Sequence, residues 1–229
     1  MKLLRGRKER AFTLIEMTAI TGMLMVGTSL ALPHFARAKD RCQRVNCANN
    51  LKQIGVAFHT WTLDYGGKFP MQISITNGGT LELVGSGAVF PHFEVMSNEL
   101  STPKILFCPQ DSNAERQVAN TFGRTISPGS IGKIPFASDT NLSYFVGVDA
   151  IDGDSRMLLC GDDNFTFERM RLRHRLVPIS ANSAVEWTAE THAGKGNICF
   201  TDSQVEQLNT TNLNKAIQRS QVRNRLTMP

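Results

Sequence analysis

The sequence predicts an α+β protein in which one long N-terminal helix lies on a small antiparallel sheet. Three observations predict this. Residues 12–32 form an apolar run whose one ionisable member is Glu16. A helical pattern then continues to Asp64, with Cys47, Leu51, Ile54, Phe58 and Trp61 at spacings of four, three, four and three, the seam of a helix packed on a core. From Phe69 onward, short β-prone runs are separated by Gly, Pro, Asn and Asp, as in a small sheet with irregular loops. At 229 residues and 41% apolar content the chain can bury a real core.

The first element is a basic leader, residues 1–11. Lys2, Arg5, Arg7, Lys8 and Arg10 against Glu9 hold four of the five net positive charges of the chain. The remainder is close to neutral, and no basic patch interleaved with aromatics occurs in it. Nucleic acid is therefore not an expected partner.

The second element, residues 12–33, is a transmembrane helix. Its apolar run of 21 residues, Phe12 to Leu32, spans about 30 Å at ~1.5 Å per residue, the thickness of a bilayer's hydrocarbon core. Basic residues on its N-terminal side keep the leader cytoplasmic and send the rest outward. Ala36-Arg37-Ala38 imitates a signal-peptidase site, which would release a soluble domain beginning at Lys39, but the apolar run exceeds a signal core. A plain membrane anchor explains the length and leaves Glu16 unexplained. A charge at the bilayer centre costs on the order of 2.5 to 3.5 kcal/mol, less towards the interface.

The third element, residues 34–64, is an amphipathic spine helix with Asn49, Lys52 and Gln53 opposite the apolar seam and Gly66 and Gly67 as its stop. Residues 65–229 form the exported domain. Strands are expected near 71–76, 80–84, 143–148, 157–160, 197–201 and 204–208, the last two as a hairpin turning at Asp202 and Ser203. Residues 109–141 read as loop and 168–175 as a short helix. A terminal helix is expected over 213–225, capped near Thr211 or Asn212. The whole is expected to form a single sheet against the spine.

An exported domain meets oxidising conditions, so a disulfide is expected among Cys42, Cys47, Cys108, Cys160 and Cys199. Cys47 on the spine and Cys108 before Pro109 are the favoured pair, while Cys160 and Cys199 read as buried strand residues. With no CxxC spacing, zinc is not expected. No nucleophile elbow or phosphate-cradling loop is present, so the chain does not read as an enzyme.

Arg7-Lys8-Glu9-Arg10-Ala11 followed by Phe12-Thr13-Leu14-Ile15-Glu16 closely resembles the leader and cleavage site of type IV prepilins and type II secretion pseudopilins. The resemblance implies a pilin-like fold and cutting by a prepilin peptidase between Ala11 and Phe12, with methylation of the new Phe12 amine. Glu16 becomes the fifth residue of the mature chain, an assembly device paired with such an amine on a neighbouring subunit in a low-dielectric surround. Ala11 stands where the family usually has Gly, which predicts slower or tolerated cleavage. Pro33 sits where family prolines bend or locally melt the helix, and Gly22 and Gly27 ease unwinding or close helix approach. Implied partners are the peptidase, other pilin or pseudopilin subunits and an inner-membrane assembly platform. The implied location is the inner membrane, single-pass, with a periplasmic C-terminal domain or a surface filament.

His192, nine residues and Asp202 resemble the H-x9-DG signature of prepilin-like proteins of Planctomycetes and Verrucomicrobia, with Ser203 where Gly is typical. "NCANNLKQIGVAFHTW", "GGTLEL", "VMSNELSTPKILFCPQD" and "NLSYFVGVDA" resemble segments of the same proteins. His192 and Asp202 are expected to act structurally. Calcium, held in loops by major pseudopilins, is the one candidate cofactor. Asp149, Asp152 and Asp154, with Asp162 and Asp163 nearby, offer hard oxygens for it without an EF-hand spacing, and solvated turn carboxylates are the plainer reading. The expected function is that of a prepilin-like subunit of a type II secretion pseudopilus or type IV pilus-like filament. The rival is a membrane-tethered monomeric binding module for a ligand such as a polysaccharide or peptide.

Overall fold

The computed structural model describes residues 13–123, 132–167, 170–171, 175–180, 183–220 and 224–229. Its chain divides into two compact units between Cys42 and Gln43. Helix α1 (Leu14–Asp64) starts in the first and ends in the second.

In the N-terminal unit, Leu14–Ala31 is long and apolar enough to cross a membrane, about 27 Å at the helical rise. Leu14, Ile15, Met23, Leu24, Met25, Val26 and Leu30 are all exposed. The hydroxyls among them are turned inward. Thr18 donates to the Ile15 carbonyl at 3.0 Å, Thr21 to Met17 at 2.7 Å and Ser29 to Val26 at 2.8 Å. The segment therefore presents little unpaired polarity to its surroundings, as a hydrocarbon environment requires. Helix α1 is continuous through Gly22, Gly27 and Pro33.

In the globular unit, Cys47, Leu51, Ile54, Phe58 and Trp61 are all buried. Phe58 packs against the rings of Phe69 and Phe93 at centroid distances of 5.7 and 6.0 Å, so it is core rather than a ligand platform. Helix α1 ends where Gly66 and Gly67 take φ of 62° and 76°, a conformation glycine adopts without a Cβ clash. Short helices α2 (Phe90–Glu94) and α3 (Ser97–Leu100) follow. Next come strands β1 (Tyr144–Gly147), β2 (Leu158–Asp162), β3 (Phe165–Phe167), β4 (Met170–Arg171), β5 (Arg175–Ile179), β6 (Val185–Trp187), β7 (Lys195–Phe200) and β8 (Val205–Asn209). Helix α4 (Thr210–Arg219) and strand β9 (Asn224–Met228) complete the chain.

The strands form two antiparallel sheets rather than the expected single one: β5-β9-β1-β2-β7-β8 and β4-β3-β6. Strand alternation splits the interior across the larger sheet. Tyr144, Val146, Leu159 and Cys199 join the core that holds the α1 seam. Phe145, Leu158, Ile198 and Phe200 join a second core with Leu213, Ala216 and Ile217 of α4 and Phe165, Val185 and Trp187 of the small sheet. The larger sheet is thus covered on both faces, and its strands are apolar on both sides.

Several expected elements are corrected. Residues 71–76 and 80–84 form 3₁₀ turns, Pro70–Gln72, Ile75–Asn77 and Leu81–Ser86, not strands. Their backbone donors are satisfied inside one loop: Thr80 N–H bonds Pro70 O at 2.8 Å and Leu81 N–H bonds Ile73 O at 2.9 Å. The basic stretch expected as a helix contributes Met170, Arg171 and Arg175 to strands, and its other residues lie outside those described. Helix α4 starts three residues before Leu213, capped by Asn209, whose Oδ1 accepts the Asn212 N–H at 2.8 Å. It ends at Arg219, and residues 224–228 are a strand between β5 and β1.

Candidate functional site

Two places carry the functional expectations. The first is the start of α1. Thr13 precedes the first helical turn, and Glu16 sits three residues on. Glu16 Oε2 accepts the Thr13 backbone N–H at 2.8 Å and its hydroxyl at 2.9 Å, while the Glu16 N–H reaches Thr13 Oγ1 at 3.4 Å. This reciprocal pair is a capping box, and Thr-x-x-Glu is its sequence signature. Within one chain, then, Glu16 already has partners. Ala11 and Phe12, the expected cleavage and methylation residues, lie outside the described residues.

The second is a buried polar cluster of the globular unit. Cys47 of α1 and Cys108, two residues past the turn Pro103–Leu106, are joined in a disulfide with Cα atoms 5.4 Å apart. His192 packs against it, with Nε2 3.3 Å from Cys108 Sγ and 3.3 Å from Asp162 Oδ2. Asp162 is fixed at the end of β2, where its Oδ2 also accepts the backbone N–H and Nδ2 of Asn197 at 2.7 and 2.9 Å. Asp162 Oδ1 and His192 Nδ1 have no hydrogen-bond partner among the described residues. His192, Ala193 and Gly194 take φ of 54°, 52° and 74° in succession. Left-handed backbone costs roughly 1 to 2 kcal/mol per non-glycine residue, so surrounding structure must hold His192 where it is.

His192 and Asp202, paired by the sequence motif, have separate roles. His192 is buried and meets Asp162. Asp202 is exposed at the β7–β8 turn, where its Oδ1 accepts the Gln204 N–H at 2.8 Å. The Ser203 N–H bonds Phe200 O at 2.9 Å, and Ser203 takes φ of 60°, as in a three-residue hairpin loop with a bulge. This turn seats on the spine: Lys52 Nζ donates to Ser203 O at 2.8 Å. A Cβ at Gly55 would lie 2.8 Å from Cys199 Sγ and 3.0 Å from Ser203 Oγ, so the close approach requires glycine.

The candidate calcium carboxylates do not converge. Asp149 pairs with Arg225 at 2.6 Å, Asp154 with Arg156 at 2.9 Å and Asp152 with His59 at 3.6 Å. Each faces a different basic side chain, and the three are not among the described residues that gather metal-capable donors. Asp163 instead binds Arg116, which also meets Asp111 at 2.7 Å. Burial would lower the Arg116 guanidinium, but hydrogen bonds and charges from Asp163 and Asp111 outweigh it and raise it. Burial raises Asp163, and the bond from Arg116 draws it back in part. Among the described residues the metal-capable group is Cys47, Cys108 and His192, whose donor atoms lie within 4.8 Å of one another. A search for close cysteine spacings cannot find it, because its donors come from three separate segments.

Near the β7–β8 turn a cleft of about 350 Å³ is lined by Arg156, Asp202, Glu206, Lys215 and Arg219 among others. Its mixed charge favours no one ligand sign. Comparison with family models, curated proteins and solved structures finds no match to this chain.

Proposed function

We propose that this chain is a prepilin-like subunit, cut between Ala11 and Phe12, anchored in the inner membrane by residues 12–32, and assembled through that helix into a pseudopilus or pilus-like filament. The observation that carries the reading is Glu16, an acid near the start of an exposed helix apolar enough to cross a membrane, directly after a leader that resembles a prepilin cleavage site. Cleavage would create a cationic amine at Phe12, and a neighbouring subunit's Glu16 would pair with it in a low-dielectric surround. Packing of apolar helices along the filament axis supplies the remaining attraction, and the charge pair sets the register. Prepilin peptidase, sibling subunits and a membrane assembly platform are the partners. The test is Glu16→Ala in the native membrane: normal insertion with loss of subunit-to-subunit cross-links supports the reading, and unchanged cross-links overturn it.

One observation favours the rival, a membrane-tethered monomer with a periplasmic binding domain. Thr13 satisfies Glu16 within the same chain, so the acid has a purpose without a neighbour. Under that reading the chain keeps its leader and makes no subunit contacts through α1.

A further inference from the structure

We propose that Cys47, Cys108 and His192 form a zinc site when their disulfide is reduced, with Asp162 as the fourth donor. The inference is independent of whether the chain assembles.

Three donors from three elements meet at one buried point, all within 4.8 Å of one another: Cys47 from α1, Cys108 from the segment after Pro103–Leu106 and His192 from the turn before β7. Asp162, at the end of β2, lies outside that group but 3.3 Å from His192 Nε2. None is more than 3% exposed. Two of the spacings already present suit a coordination shell. Tetrahedral zinc with bonds of about 2.0 to 2.3 Å has donor-to-donor edges of roughly 3.3 to 3.7 Å. His192 Nε2 lies 3.3 Å from both Cys108 Sγ and Asp162 Oδ2. Two movements remain, the parting of the two sulfurs once their bond is cut and the approach of Asp162 to them.

The local chemistry is otherwise unexplained. Asp162 is anchored to Asn197 through one oxygen, while its Oδ1 is buried without a hydrogen-bond partner among the described residues. His192 is held in a left-handed backbone conformation with its ring aimed between a sulfur and a carboxylate. An apolar disulfide asks for neither. A cation bound by two thiolates, an imidazole nitrogen and a carboxylate oxygen accounts for both, and strained backbone persists where a site needs it. Thiolate and imidazole donors select zinc over calcium or magnesium.

The conversion balances. Two equivalents of a small-molecule thiol reduce the disulfide to two cysteine thiols and leave as their own disulfide. Zn²⁺ then displaces one proton from each thiol, and His192 ligates as neutral imidazole through Nε2 with the ring proton on Nδ1. In the reverse direction a small-molecule disulfide takes two electrons from the two thiolates and leaves as two thiolates of its own, the Cys47–Cys108 bond re-forms and the metal is released.

The full-length protein in detergent is reduced, freed of reductant without air and titrated with Zn²⁺, or with Co²⁺ as a spectroscopic stand-in. One equivalent should bind, and Co²⁺ should give a thiolate-to-cobalt charge-transfer band with tetrahedral ligand-field bands. The oxidised protein should bind at least an order of magnitude more weakly. Because Cys160 and Cys199 are adjacent buried thiols, Cys160→Ala with Cys199→Ala must keep the site, whereas Cys47→Ser or His192→Gln must weaken it by an order of magnitude. Equal binding by oxidised and reduced protein, no binding after reduction, or loss of metal in the Cys160/Cys199 variant overturns the proposal. The redox comparison uses one unaltered chain, so it does not depend on any variant folding.

Discussion

Glu16 and Thr13 clasp each other at the start of the apolar helix, the carboxylate accepting both the backbone N–H and the hydroxyl of Thr13 at 2.8 and 2.9 Å. A capping box needs an acceptor at this position, and Gln serves nearly as well as Glu. Pairing with a neighbour's amine needs the negative charge. The two roles are therefore separable by substitution. Glu16→Gln should leave membrane insertion unchanged and reduce cross-linking between subunits by an order of magnitude or more. Thr13→Val should weaken the helix start by about 1 kcal/mol and leave most cross-linking in place. Equal effects of the two substitutions on cross-linking would assign Glu16 to capping alone.

The Cys47–Cys108 disulfide closes a loop with a sequence separation of 61, tying the spine to the segment before β1. Loop-closure entropy gives it roughly 4 kcal/mol, within the usual 2 to 5 kcal/mol for native disulfides of small exported domains. Cys108→Ser should lower the urea midpoint of the globular unit by a corresponding amount. An unchanged midpoint would mean that the spine is held by apolar packing alone.

His92 is buried with Thr80 Oγ1 2.7 Å from its Nδ1, and burial draws it from its ordinary 6.5 down to about 4. As pH falls, the unfolded chain takes up this proton near 6.5 while the folded chain resists until about 4. The unfolded state binds more protons in that window, so stability falls with falling pH, by roughly 3 kcal/mol in total. Unfolding free energies measured from pH 7 to pH 4 check this. His92→Gln should flatten the curve, and a curve unchanged in the variant would remove His92 as its cause.

Ser203 takes a left-handed φ of 60°, and its buried Oγ has no hydrogen-bond partner among the described residues. Glycine adopts this conformation freely, and the Lys52 contact uses the backbone carbonyl. Ser203→Gly should therefore raise the thermal midpoint, by the equivalent of about 1 kcal/mol. A lower midpoint would mean that the Ser203 side chain packs usefully against Gly55.

The spine was legible because a helix laid on a core repeats with a fixed period, and Cys47 through Trp61 keep that period without interruption. The β7–β8 hairpin was legible for a similar local reason, alternation around a polar turn. Residues 224–228 were not. Their partners in β5 and β1 are distant in sequence, and an Arg-rich stretch after α4 carries no local sign of them. The runs at 71–76 and 80–84 misled because β-branched and apolar residues satisfy strand propensity wherever they occur, while Pro70, Ser74, Gly78 and Gly79 close the backbone on itself. For the candidate sites, Thr13-x-x-Glu16 has the spacing of a cap, but it was passed over because Glu16 stood out as a charge in an apolar run. The meeting of His192 with Asp162 rather than Asp202 was not legible, since β2 and the turn before β7 are brought together only by the sheet.

The central claim is that Glu16 serves assembly because proteolysis supplies a cation for it. The most direct measurement is the intact mass and N-terminal sequence of the chain purified from its native membrane. The account predicts a chain that begins at Phe12 with a methylated amine. A chain that retains Met1 and the basic leader, or one that begins at Lys39, would contradict it.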